Sequence, residues 1–182
     1  MIEAWCDGAC RGGNPGICSC AWVLRGTMQR EHKKPIEVDA YDAHFLGPEL
    51  HTNNFAEYCG LIVLLEFLYS RGLRNVVIYC DSKLVVNQVN QKWECLSDDL
   101  RPLMSKAYGL LTQGCHVLKH IKGHDGNVGN EEADRLCNEV LDGYFINLHV
   151  EEHKALLKEE NDNINRSFEE SGCKTETNRE TS

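Results

Sequence analysis

Several things are missing from this 182-residue chain, and each absence excludes something. No apolar run approaches the roughly 18 residues that a membrane span requires; the longest, Leu61 to Leu68, is already broken by Glu66. Positive charge is in deficit, with 19 Lys and Arg against 28 Asp and Glu and a net charge of −9. That balance argues at first sight against a nucleic-acid partner, which normally meets a basic surface. The ten cysteines include no CxxC pair, Cys18 with Cys20 and Cys6 with Cys10 being the closest, so a structural zinc site is not expected. The amino terminus, MIEAWCDGAC, lacks the basic region and long apolar run of a secretory leader. The thiols are therefore expected to be reduced, intracellular and buried as small apolar side chains. No internal repeat is visible.

What is present describes one globular domain. A hydrophobic share of 42% with 26% charged residues is enough to bury a core. Ile2 to Cys6 and Ile17 to Leu24 are short β-branched and aromatic runs separated by a glycine-rich stretch, which reads as a hairpin or meander. Thr27 to Phe45 could supply a third strand, with Pro35 arguing for an edge or a loop near it. Asn54 to Ser70 reads as a largely buried helix capped by Asn54 and stopped at Arg71 and Gly72. Asn75 to Cys80 is a continuous apolar run, as in a strand covered on both faces. Helices follow over Lys83 to Gln91 and Leu100 to Thr112, then a strand over Cys115 to Ile121 and a last helix capped by Asn130. This order predicts a mixed sheet whose later strands are parallel and joined by helical crossovers. Beyond about His149 the chain turns polar and charged, as a frayed helix running into a disordered tail would.

Four acids stand where such a fold would gather them: Asp7 leaving the first strand, Glu57 in the first helix, Asp81 ending a central strand, and Asp134 near the start of the last helix. Ligands of open sheets collect at the carboxyl ends of parallel strands. Clustered carboxylates are tolerable only when protonated or neutralised by cations, and oxygen-only donors select hard ions such as magnesium or manganese. Each acid also has an ordinary explanation. Glu57 stands at capping-box spacing from Asn54, Asp81 and Asp134 suit helix amino termini, and Asp7 suits a turn. The stretch DGACRGGNPG, Asp7 to Gly16, lacks the GK[ST] ending of a phosphate-cradling loop.

Four motifs in order, CDGACRGGNPG, TNNFAEYCGLIVLLE, YCDSKLVVNQV and KGHDGNVGNEEAD, resemble those of a type 1 ribonuclease H, in a compact form without an amino-terminal hybrid-binding module. The resemblance covers about residues 1 to 147. It implies a mixed α/β fold of the ribonuclease H type, a five-stranded mixed sheet with strands 1 to 3 antiparallel and strands 4 and 5 parallel to strand 1, flanked by helices. It implies a catalytic domain over residues 1–148, followed by a charged, partly helical and then disordered tail over 149–182. The implied activity is magnesium-dependent endonucleolytic hydrolysis of the RNA strand of RNA–DNA hybrids, leaving 5′-phosphate and 3′-hydroxyl ends. The alternatives are a nuclease of the same fold acting on other structured nucleic acid, such as double-stranded RNA, or a non-catalytic binding module of a reverse-transcription assembly.

Carried over residue by residue, the resemblance makes Asp7, Glu57, Asp81 and Asp134 ligands of two magnesium ions, with manganese as the alternative ion. Asp7 bridges the pair, and His124 is the mobile-loop histidine that assists proton transfer or product release. Gly8, Asn14, Asn54, Ser82 and Lys83 are implied to meet the substrate, the asparagines sensing the RNA 2′-hydroxyl, which is both donor and acceptor. Two departures from the usual pattern stand out. Gly12 and Gly13 occupy the place of a single glycine, which shifts Asn14, and Lys83 replaces a common glutamine. The expected protein is a cytoplasmic monomer with an RNA–DNA hybrid as partner and no membrane.

The charge objection shrinks on this reading. Residues 1 to 150 carry 14 Lys and Arg against 19 Asp and Glu, a net of −5, and residues 151 to 182 carry 5 against 9, a net of −4. Two divalent ions on the four acids would bring the core near neutrality.

Overall fold

A computed structural model describes residues 1–30, 33–123 and 125–172. The chain divides into two compact units, Met1–Asp142 and Gly143–Ser182. The first contains five strands, β1 (Ile2–Arg11), β2 (Ile17–Arg30), β3 (Lys33–Phe45), β4 (Val77–Cys80) and β5 (Val117–His120). Its helices are α1 (Asn53–Ser70), α2 (Lys83–Val89) and α3 (Arg101–Gln113), and the long helix α4 (Val128–Gly172) begins in it.

The sheet runs β3-β2-β1-β4-β5. β1 pairs antiparallel with β2, and β2 antiparallel with β3; β4 is parallel to β1, and β5 parallel to β4. This is the five-stranded mixed sheet the motifs imply. The strands β1 and β2 outrun their apolar cores because a hairpin extends both past the hydrophobic segment, from Ile2↔Gly26 to Arg11↔Ile17. Thr27 to Arg30 accordingly belong to β2 rather than to the third strand. β3 is an edge strand, and Pro35 near its start is tolerated for that reason.

Residues 18–24 of β2 are almost all buried, since both faces of the sheet are covered. Trp22 and Leu24 face α1, joining Tyr58, Leu61, Leu65, Leu68, Ile78 and Val85 in the main core. Ala21 and Val23 face the other way, onto Ala133, Leu136 and Cys137 of α4. The alternation is the period of two expected of a strand. α1 has no single apolar stripe; buried side chains surround it, as expected of a helix wedged between the sheet and α3.

Helix caps differ from the sequence reading at two places, for reasons of tertiary fit. Thr52, not Asn54, caps α1, its hydroxyl accepting from the Phe55 N–H at 3.2 Å. That puts Glu57 beyond the capping-box position, so its ordinary explanation fails. At α4, Asn127 Oδ1 accepts from the Asn130 N–H at 3.2 Å, and Asn130, expected to cap, is 3% exposed and turned inward. The cysteine expectation also needs correction: Cys10 and Cys18, directly opposed in the β1–β2 ladder, form a disulfide. The hairpin register brings together two residues that looked unrelated at a separation of eight. Cys6, Cys20, Cys80, Cys95 and Cys137 are free and buried.

Residues 143–172 are helical within α4, and no described helix is long and apolar enough to cross a membrane. The tail expected to be disordered lies, from residue 173 on, outside the described residues.

Candidate active site

Each acid of the predicted cluster is delivered by a different element. Asp7 sits mid-way along β1, Asp81 follows the last residue of β4, and the parallel pairing of those strands sets them side by side. Glu57 comes from the second turn of α1 and Asp134 from the early part of α4. All four line one polar, open cavity of ≈ 250 Å³, together with Gly8, Ala9, Cys10, Asn53 and Asn138.

Two glycines bring α1 close enough for Glu57 to join Asp7. A Cβ on Gly8 would stand 2.2 Å from the Ala56 carbonyl carbon and 2.3 Å from the Glu57 nitrogen. A Cβ on Gly60 would stand 2.5 Å from the Asp7 carbonyl oxygen. Helix and strand backbones therefore touch at this point, which only hydrogen side chains permit.

The electrostatics are those of crowded, dry carboxylates. Asp7 and Glu57 are 6% and 5% exposed. Burial first, then the Asp81 charge, push the Asp7 carboxyl up to about 7, against the opposing Gly8 N–H and with a further push from Asp134. The Gly8 bond to Asp7 Oδ1 is 2.8 Å. Glu57 is raised well above the usual carboxylate range, chiefly by burial, then by Cys80, Asp7 and Asp81. Among the described residues, no lysine or arginine forms an ion pair with any of the four acids. Arg11, the nearest in the chain to Asp7, is occupied with Asp142 and Asn138. A set of oxygen donors that lacks a cationic partner, with Asp7 and Glu57 resisting ionisation, fits a hard divalent ion.

Supporting side chains orient the acids. Asn130 Nδ2 donates to Asp81 Oδ2 at 3.1 Å, and Asn138 Nδ2 donates to Asp134 Oδ1 at 3.0 Å. The His120 Nε2–H donates to the Asp81 carbonyl at 3.1 Å. The sequence reading passed over Asn130 as an orienting group and Asn138 altogether, although Asn130, Asp134 and Asn138 recur at i, i+4 and i+8 on one helix face, a readable signal.

The remaining candidates distribute as follows. Gly8 lines the cavity. Asn14 lies in the β1–β2 turn, after Gly12 and Gly13, both at positive φ. Its Oδ1 accepts from the Asn53 N–H at 3.0 Å, so the turn leans on the amino end of α1. Gly16 and His51 exchange backbone hydrogen bonds of 2.8 and 2.9 Å, which clips the turn to the same segment. Asn53 lines the cavity and was missed in favour of its neighbour Asn54, which follows, half-buried, in the first turn of α1. Ser82 caps α2, accepting from the Val85 N–H at 3.4 Å. Lys83 is exposed, its Nζ 6.0 Å from the centre of the Trp93 ring. His124 lies outside the described residues.

Comparison with known proteins places the whole of this first unit in one family. The RNase H family matches over residues 1–142. A ribonuclease HI of Halobacterium salinarum is 34% identical over 142 residues, covering 78% of this chain and 64% of that protein's length. The crystal structure of RNase H1 from that archaeon superposes with a TM-score of 0.61 at 33% identity, covering 78% of this chain and 98% of the other. LC11-RNase H1, solved in complex with an RNA/DNA hybrid, gives a TM-score of 0.64 at 26% identity, covering 80% and 99%. The chain belongs to the RNase H family of ribonucleases, in its type 1 branch.

Proposed function

We propose that the protein is an endoribonuclease that hydrolyses the RNA strand of RNA–DNA hybrids with two divalent ions, magnesium first, leaving 5′-phosphate and 3′-hydroxyl ends. The observation that carries this reading is the meeting of Asp7, Glu57, Asp81 and Asp134 around one cavity with no cationic side chain among them. The relative solved with a hybrid supports the substrate class.

Asp7, central among the acids, would help hold both ions, Asp134 one of them, and Glu57 and Asp81 the other. Two such ions activate water near neutral pH and offset charge on the phosphate and the departing oxygen. The chain's own residues do the rest. Asn130 and Asn138 hold the Asp81 and Asp134 carboxylates in fixed orientations. Tyr58 and Gln88, joined by a buried 2.8 Å bond, lock α1 to α2 and so hold Glu57 against β4. Gly8 lines the cavity, where its backbone would face a bound sugar. Asn14 and Asn53 or Asn54 offer amides for a 2′-hydroxyl, and Ser82 and Lys83 lie beside Asp81 for the flanking backbone. His124, between β5 and α4 in the chain, would assist proton transfer or product release. Residues 1–148 form the catalytic domain, and the acidic segment 149–182 stands outside the chemistry.

The test is cleavage of labelled RNA–DNA hybrid, double-stranded RNA and single-stranded RNA with magnesium, manganese or chelator, beside Asp7→Asn. Metal-dependent cut hybrid with an intact DNA strand is expected from the unsubstituted protein, and none from Asp7→Asn. Cleavage that survives Asp7→Asn would overturn the mechanism; equal cutting of double-stranded RNA would overturn the specificity.

A further inference from the structure

The acids use one end of the parallel pair β4–β5, and the other end carries a cavity of its own. Arg74 precedes β4 and His116 precedes β5, so both stand at the amino ends of those strands, where the last turns of α1 and α3 also arrive. The cavity there measures ≈ 120 Å³, and none of the four acids lines it. Tyr69, Leu73 and Leu110 give it apolar walls; Arg74, Gln113 and His116 give it donors. His116 is 9% exposed, and its Nδ1 accepts from the Val76 N–H at 3.2 Å. With Nδ1 an acceptor, the neutral ring carries its proton on Nε2. A Cβ on Gly114, which also lines the cavity, would stand 2.0 Å from that nitrogen, so only glycine lets this edge of the ring lie there. No described residue accepts from the Nε2–H.

A buried histidine is ordinarily a satisfied core residue, and the Val76 bond answers for one edge of this one. The other edge is a buried donor without an acceptor, which costs free energy that a bound acceptor recovers. The nearby Arg74 is exposed and meets no carboxylate among the described residues, its Nη2 resting 3.6 Å from the Cys115 sulfur. In a chain with 28 acids to 19 basic side chains, an arginine so placed is an open anion partner. The negative ends of α1 and α3 are blunted, because the Gly72, Leu73, Gly114 and His116 N–H groups take up carbonyls of the last turns at 2.9 to 3.1 Å. We infer that this cavity binds a short, branched aliphatic carboxylate, with its head between Arg74 and the His116 Nε2–H and its branch against Tyr69, Leu73 and Leu110. The volume sets the length: an apolar cavity of about 150 Å³ holds one benzene ring, so a chain of about four or five carbons fits here and a fused aromatic acid does not.

The probe is isobutyrate titrated into the full chain, read by the nuclear magnetic resonance signals of the Gly72 and Gly114 amides and of the His116 ring nitrogens. One saturable transition is expected at all three residues. Arg74→Gln removes the charge, and His116→Asn keeps an acceptor near the Nδ1 position for the Val76 N–H while removing the Nε2 donor; each should weaken affinity about tenfold or more. Isobutyramide, of the same shape without the charge, should weaken as far, and naphthoate should leave the signals unmoved. A valine-ended peptide presents the same head and branch; if it binds beside isobutyrate, the source is a chain end, and if isobutyrate alone binds, the source is the free acid. Shifts that never saturate, an affinity unchanged by Arg74→Gln, or inorganic phosphate binding as tightly as isobutyrate overturns the inference. Should His116→Asn not fold, Arg74→Gln decides, because that side chain is exposed and outside the core.

Discussion

Replacing Gly8 by alanine tests the backbone contact on which the acidic cluster depends. The added Cβ would lie 2.2 Å from the Ala56 carbonyl carbon, whereas ordinary contact begins at 3.4 Å. If β1 holds its place in the sheet, α1 must withdraw by the difference, roughly 1.2 Å, and Glu57 moves with it. Misplacement of a reacting group by about 1 Å costs on the order of 100-fold in rate, so kcat on a labelled hybrid should fall about that far, with little change in KM. Overpacking should also cost about 1–3 kcal/mol of stability, a drop of roughly 3–10 °C in Tm for a unit of this size. Rates are therefore taken well below the lowered Tm, with circular dichroism on the same sample to show that the chain is folded. A folded Gly8→Ala protein with kcat near the unsubstituted value would refute the claim that this contact sets the position of Glu57.

Gly109→Ala should do the opposite. Nothing lies within 4 Å of a Cβ at this exposed position inside α3, so better helix propensity should raise stability by about 0.5–1 kcal/mol in urea unfolding, with activity unchanged; a destabilised variant counts against the packing described. Reduction of the Cys10–Cys18 bond, which closes a loop with a sequence separation of eight, should lower stability by about 2.5 kcal/mol on the chain-entropy account. Unfolding midpoints that agree with and without reductant, once mass spectrometry shows the thiols free, would contradict it. In chelator, stability should fall as pH rises from about 4 to about 7, because the folded chain keeps a proton on Asp7 that the unfolded chain, at its ordinary 3.8, has lost. Magnesium should offset that loss, and Asp7→Asn should flatten the slope; an unchanged slope in Asp7→Asn contradicts the assignment. His116 acts with the opposite sign. Burial and the nearby Arg74 lower its pKa, so its contribution is complete above about 6.5 and is lost as pH falls below that value. Replacing it should reduce the acid-side loss, measured by Tm between pH 5 and 7.

The element order, the Pro35 edge, the burial of α1 and the identities of Asp7, Glu57, Asp81 and Asp134 were legible in the linear chain. They rest on local periodicity, on turn-forming residues and on motifs that keep their spacing. The caps of α1 and α4 were misread by two and three positions, because Asn54 and Asn130 satisfy the same local rule as Thr52 and Asn127. The choice between them depends on where each helix docks. Asn53, Asn130 and Asn138 carry no chemistry of their own, and their relevance appears only beside the acids.

The linear chain carries the chemical groups and the kinds of element on which they ride. Tertiary structure alone decided which groups meet. The parallel pairing of β1 with β4 joins Asp7 to Asp81 across more than seventy residues, and the glycine contact between β1 and α1 draws Glu57 in beside them. The hairpin register opposes Cys10 to Cys18, and the end of β4 sets the Cys80 sulfur behind Glu57. Local propensity extends over about four residues along the chain; these meetings are set by burial and strand order over the whole sheet, which no short stretch of sequence encodes.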